Sequence, residues 1–223
     1  MIVAHRKSIP ELIEILTGHN KVLVLGCGTC VTVCLAGGQR EVGIIASALR
    51  MASKIRGQAI QVEELTIERQ CDNVFIETAT EAIERNDAVL SLGCGAGVQA
   101  IAERYSHKPV YAGLDTTFIG ILEERGIWAE KCSACGACVL HNYGGICPIT
   151  QCAKHLLNGP CGGSREDRCE VRPDRPCAWQ LIYLRLKEID QLDRLGKYRR
   201  LRTGPPVSTA GPASSSEKTT ESK

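Results

Sequence analysis

The chain has 223 residues, room for one or two domains of ordinary size and too few for a large multidomain enzyme. Apolar residues make up 43% and charged residues 23%, the formal net charge is +2 and aromatics are 4%. That balance exerts no strong pull toward nucleic acid or a charged membrane surface. The count that demands a chemical explanation is thirteen cysteines, several at two-residue gaps. Disulfides, zinc and iron-sulfur clusters are the three uses open to them.

The first seven residues lack the apolar run of a secretory signal and lead toward a helix carrying Glu11 and Glu14, so export is not expected. The longest uncharged stretch, 22–39, is broken by Gly26, Gly28, Gly37 and Gly38. It falls short of the roughly 20 apolar residues that a spanning helix needs. The expectation is a soluble, cytoplasmic protein, and in that reducing compartment metal binding outranks disulfide bonding.

In chain order, Ser8-Ile9-Pro10-Glu11 is a capping box that predicts a helix over 9–17, with Gly18 as its stop. Val22-Leu23-Val24-Leu25 reads as a buried strand, 41–56 as a helix closed by Gly57, 59–65 as a strand and 81–85 as a short helix. A second buried strand at 89–92, a helix over 96–105 and a short strand at 110–114 follow. Strand and helix in alternation predict an α/β fold, an open and mostly parallel sheet of the Rossmann or flavodoxin kind covered on both faces. The expected boundaries are an α/β domain over 1–127, a cysteine-rich cluster-binding segment over 128–178, a long amphipathic helix over 179–202 and a disordered tail over 203–223. The helix carries Ile182, Leu186, Ile189, Leu192 and Leu195 on one stripe and ends in the basic cluster Lys197, Arg199, Arg200 and Arg202.

An internal echo marks the functional edge of that sheet. Val22-Leu23-Val24-Leu25-Gly26-Cys27-Gly28 matches Val89-Leu90-Ser91-Leu92-Gly93-Cys94-Gly95 at nearly every position. Each copy is a strand delivering Gly-Cys-Gly to a helix start, and ligands of open parallel sheets bind beyond the carboxyl ends of the strands. Cys27, Cys30, Cys71 and Cys94 are therefore a candidate metal site, against the alternative that they are buried apolar thiols. Cys34, four residues past Cys30 on the same helix, is left out of the set. Gly26 and Gly28 imitate the start of a dinucleotide fingerprint, but its third glycine and its acidic ribose partner are missing.

The strongest pattern is Cys132-Ser-Ala-Cys135-Gly-Ala-Cys138, a C-x2-C-x2-C run whose small intervening residues let one turn offer three thiolates to a cubane cluster. Cys147-Pro148 has the form of the fourth ferredoxin cysteine after a longer gap of eight residues. With Cys152, Cys161, Cys169 and Cys177 there are eight thiols, enough for two [4Fe-4S] clusters, with a third within reach of the N-terminal set. How the eight divide stays open. Zinc is the alternative, held by Cys132 and Cys135 with distant thiols or with His141 or His155. Such a segment is not expected to build an ordinary core and needs a metal as its staple.

Cys132 to Cys138, Gly144-Gly145-Ile146-Cys147-Pro148, Cys152-Ala-Lys154, Asn158-Gly159-Pro160-Cys161-Gly162-Gly163 and Cys169-Glu-Val together resemble the methylenetetrahydrofolate reductase C-terminal domain family. That family includes the small cysteine-rich subunit of two-subunit reductases. The resemblance implies a separate flavin-containing catalytic subunit that forms methyl-tetrahydrofolate and a low-potential donor such as ferredoxin. It implies clusters in this chain that relay electrons, with residues acting as ligands and insulators rather than as acids or bases. The competing expectation is a zinc-stapled assembly module of the same complex with no redox role.

Overall fold

In the computed structural model residues 1–57, 60–196 and 199 are described, and the chain divides into two units, Met1–Lys131 and Cys132–Lys223. The first unit is mixed α/β and contains two sheets. Strands β1 (Ile2–Arg6), β2 (Lys21–Cys27), β3 (Gln61–Ile67), β4 (Ala88–Leu92), β5 (Val110–Ala112), β6 (Leu114–Glu124) and β7 (Ile127–Cys132) are joined by helices α1 (Ile9–Ile15), α2 (Cys30–Val33), α3 (Gln39–Ile55), α4 (Asn73–Glu77), α5 (Thr80–Arg85) and α6 (Gly95–Arg104). A four-stranded parallel sheet has the order β3-β2-β4-β5, and a three-stranded antiparallel sheet has the order β1-β6-β7.

β2 is the centre of the parallel sheet, and its apolar run follows from that position, because both of its faces are covered. Val22 and Val24 point to one face and pack with Leu12, Leu49 and the antiparallel-sheet residues Val3 and Leu114. Leu23 and Leu25 point to the other and pack with Ile76, Ile83 and Ile101. This is the period of two expected of a strand between two helical layers. The order reverses between β2 and β4, which puts the topological switch point between the two Gly-Cys-Gly turns.

Ser8 caps α1 as its sequence predicts, its hydroxyl accepting from the Glu11 N–H at 3.4 Å. The N-terminal residues, expected only to lead into that helix, form β1, which pairs antiparallel with β6. The antiparallel sheet as a whole was absent from the expectation of a single, mostly parallel sheet.

The second unit contains α7 (Pro148–Gln151) and α8 (Ala178–Glu188). It corrects two expectations. Its described residues do build a small core, in which Tyr143, Leu157, Trp179, Ile182 and Leu186 are all buried. The helix expected over 179–202 stops at Glu188, because Ile189 caps it and Asp190 turns left-handed with φ 54°. A 3-10 turn at Leu192–Gly196 follows. Lys197, Arg200, Arg202 and the tail over 203–223 lie outside the described residues. No helix among the described residues is long and apolar enough to cross a membrane.

Candidate metal centre

β7 ends on Cys132, and the next six residues wind tightly: Ala134 and Gly136 both adopt left-handed backbone, with φ 53° and 74°. The Ala134 N–H points at the Cys132 sulfur at 3.4 Å. Small side chains permit this turn, and sulfur that accepts N–H bonds is the usual environment of a cluster ligand. Cys132 and Cys138 are exposed and Cys135 is half-buried. Cys147 stands at the N-cap of α7, and its carbonyl accepts from the Gln151 N–H at 3.0 Å.

The remaining four cysteines come from separate turns, and Cys152, Cys161, Cys169 and Cys177 line one small cavity together with Lys154, Ser164, Glu170 and Trp179. Two isolated bridges fold the chain back on itself here, Arg165 with Arg168 and Arg168 with Pro176, which brings Cys169 and Cys177 toward each other along the sequence. The Cys177 N–H donates to the Asp167 carbonyl at 2.7 Å and the Cys169 N–H to the Arg175 carbonyl at 3.0 Å. Backbone N–H groups of Arg172 and Val171 hold the Cys169 thiol below its ordinary value, with smaller help from the Ala153 N–H and the Lys154 ammonium. Lys154 also pairs with Glu170, whose carboxylate accepts from the Cys161 thiol at 3.5 Å. The sequence reading gave Lys154 and Glu170 no role beyond their places in the motifs Cys152-Ala-Lys154 and Cys169-Glu-Val.

Residues 111–203 match the family model described as methylene-tetrahydrofolate reductase C terminal. This stretch is similar to the C-terminal domain of methylene-tetrahydrofolate reductases. The matched stretch begins within β5 and contains all eight cysteines from Cys132 to Cys177, whereas Cys27, Cys30, Cys34, Cys71 and Cys94 precede it. Comparison with curated proteins and with solved structures yields no match.

All thirteen cysteines are free thiols. Among the described residues, no group of three or more His, Cys, Asp or Glu side chains is arranged to hold a metal ion. The donors around the cavity in the matched stretch nevertheless suit a thiophilic metal in kind: four cysteines, backbone N–H groups on sulfur and a neighbouring lysine. The histidines weighed for zinc are turned elsewhere. His155 Nδ1 is bonded to the Ile149 carbonyl, and His141 Nε2 meets Asn142 Nδ2 at 2.9 Å.

In the first unit Cys27 ends β2, Cys30 opens α2, Cys71 follows β3 by four residues and Cys94 caps α6. Partial desolvation pushes the Cys71 thiol up, and charge on Cys94 and then Cys27 would push it further, so both of those cysteines lie within electrostatic reach of Cys71. Cys34 behaves differently. It is buried in the core, where its thiol meets the Val31 and Ala4 carbonyls at 3.5 and 3.7 Å, and burial raises its pKa.

Proposed function

We propose that this chain is the iron-sulfur electron-transfer subunit of a methylenetetrahydrofolate reductase complex, passing electrons from a low-potential donor such as ferredoxin to a flavin-containing catalytic subunit in the cytoplasm. The observation that carries the reading is the convergence of Cys152, Cys161, Cys169 and Cys177 on one cavity within the reductase C-terminal domain. On this reading the eight thiols fall into two sets of four. Cys152, Cys161, Cys169 and Cys177 form one ligand set, which leaves Cys132, Cys135, Cys138 and Cys147 as the other, the ferredoxin-like triplet with its proline-followed cysteine.

A [4Fe-4S] cluster bound at either set supplies one-electron transfer at a potential tuned by hydrogen bonds to sulfur and by exposure. The chain's own residues would hold and insulate it. The core of Tyr143, Trp179 and Ile182 packs against Cys152 and Cys177, closing one side of the cavity to water. The N–H groups on Cys169 and the charge of Lys154 favour the thiolate that ligation requires.

The test is iron, sulfide and zinc analysis with visible absorption on the full chain purified without oxygen. Cys161→Ala and Cys169→Ala are each expected to remove about four irons per chain and Cys135→Ala about four others, with bleaching of the visible band by dithionite. Zinc at both sets with no visible band would make the domain a structural staple of the complex and end the electron-transfer reading. Co-purification with a flavin-containing reductase subunit tests the partner.

A further inference from the structure

Three adjacent strands of the parallel sheet each deliver a cysteine to the same edge. β2 ends on Cys27, β4 is followed by Gly93-Cys94, and β3 by Glu68-Arg69-Gln70-Cys71. Because β3 and β4 flank β2, the three loops are spatial neighbours, and two of them border the switch point where open sheets of this kind bind ligands. The arrangement is pinned by Gln70, which is 1% exposed. Its amide donates to the Leu25 carbonyl of β2 at 2.8 Å and accepts from the Ser91 hydroxyl of β4 at 2.5 Å. Ser91 in turn accepts from the Gly93 N–H at 3.1 Å. Glycine is required at 93, since a Cβ there would collide with the Gln70 amide. The residue after the pin is Cys71, so the buried glutamine fixes where that thiol emerges.

Two of the thiols stand outside the core, whereas Cys27, at the end of β2, is 7% exposed and belongs to it. Cys71 is exposed and Cys94 half-exposed, unlike Cys34. The Cys27 sulfur reaches across to the Glu68 carbonyl of the β3 loop at 4.0 Å, and Cys30 follows at C-x2-C spacing on α2.

We propose that Cys27, Cys30, Cys71 and Cys94 hold an iron-sulfur cluster of their own at the carboxyl edge of the parallel sheet, separate from the eight thiols of the C-terminal domain. The donor set is four thiols, with Cys27 and Cys30 at C-x2-C spacing and Cys71 and Cys94 on the loops to either side, and all-cysteine ligation is the usual way an iron-sulfur cluster is held.

The experiment compares the anaerobically purified full chain with a Cys71→Ala/Cys94→Ala double variant, measuring iron, sulfide and zinc per chain and far-UV circular dichroism. Neither side chain belongs to the buried core, so the fold should survive. The expected result is a loss of about two to four irons with matching sulfide and an unchanged dichroism spectrum. Unchanged iron, or loss of zinc alone, overturns the proposal. Because the readout is a difference between two chains that both keep Cys132 to Cys177, it holds whichever metal those eight thiols carry. Iodoacetamide footprinting of the unmodified protein needs no variant: Cys30, Cys71 and Cys94, which are at least partly exposed, should be protected as loaded and alkylated after chelation. Equal labelling of Cys71 and Cys94 in both states would also overturn it.

Discussion

Tyr143 and Trp179 meet edge to face with ring centroids 5.4 Å apart, and each hands its polar atom to a neighbouring carbonyl of one loop: the Tyr143 hydroxyl to Leu157 at 2.7 Å and Trp179 Nε1 to Leu156 at 3.0 Å. The pair therefore ties the loop between Cys152 and Cys161 to the helix that begins after Cys177. Tyr143→Phe should cost the second unit about 1–3 kcal/mol by leaving a buried carbonyl without its donor, and Tyr143→Ala about 3–5 kcal/mol by emptying the core as well. Urea denaturation followed by Trp179 fluorescence in a Trp128→Phe background reads this unit separately, since these are the two tryptophans of the chain. Equal midpoints for parent and Tyr143→Ala would show that this core does not hold the unit.

Much of the first unit was legible because its signals are local. The cap at Ser8, the apolar runs of β2 and β4 and the Gly-Cys-Gly echo each sit within a few residues of sequence. The antiparallel sheet was not legible for the opposite reason: β1 is joined to β6 more than a hundred residues later, and Thr116, Thr117, Glu123 and Glu124 blur the apolar pattern of β6. The end of α8 was hidden too, since leucine and isoleucine keep their helical period through Leu195 while the backbone turns at Asp190. As for the candidate site, the cysteines are plain in the sequence, but which of them line a common cavity is not. Cys152, Cys161, Cys169 and Cys177 are evenly scattered in sequence, and the pair of bridges at Arg168 that draws Cys169 and Cys177 together is encoded by no spacing rule.

Gln70 bridges β2 and β4 from the loop after β3, and its removal has a definite cost. Gln70→Ala leaves the Leu25 carbonyl and the Ser91 hydroxyl without their partner in a dry site, a loss of about 2–3 kcal/mol from the first unit. Ser91→Ala should cost less, because the Gln70 amide keeps its bond to Leu25. Thermal denaturation of the three proteins gives the order; Ser91→Ala as damaging as Gln70→Ala would place the strength of the pin elsewhere.

Asp87 makes the acid stability of the first unit testable. Its carboxylate accepts from the Lys21 and Asn20 N–H groups at 2.8 and 3.0 Å, joining the start of β2 to the turn before β4, and those two bonds hold its pKa below the ordinary carboxylate value. A depressed folded pKa contributes stability that is present above the unfolded value of about 3.9 and is lost as pH falls through the folded one. The stability difference between parent and Asp87→Ala should therefore be constant from about pH 6 to 8 and shrink below about pH 4. Taking the difference matters, because Glu63 beside Arg85 and Glu84 beside His107 are depressed in the same direction. A gap that persists unchanged at pH 2.5 would mean that Asp87 acts through packing and not through its charge.

Cys34 separates a structural thiol from a ligand. The residue is 4% exposed, shares a core cluster with Val31, Ala36 and Ile45, and turns its sulfur to two backbone carbonyls. Cys34→Ala should leave iron and sulfide per chain unchanged while costing about 1 kcal/mol of stability in the first unit, as expected for trimming a small buried hydrophobe. Cys135→Ala should do the reverse. Cys135 lies outside any packed core and its thiol makes only a long contact, 3.9 Å, to the Ala137 carbonyl, so its loss should spare the metal-free fold while removing iron from the triplet site. Metal analysis and urea denaturation on the same preparations give both quantities, and iron lost from Cys34→Ala would move that residue from the core into the ligand set.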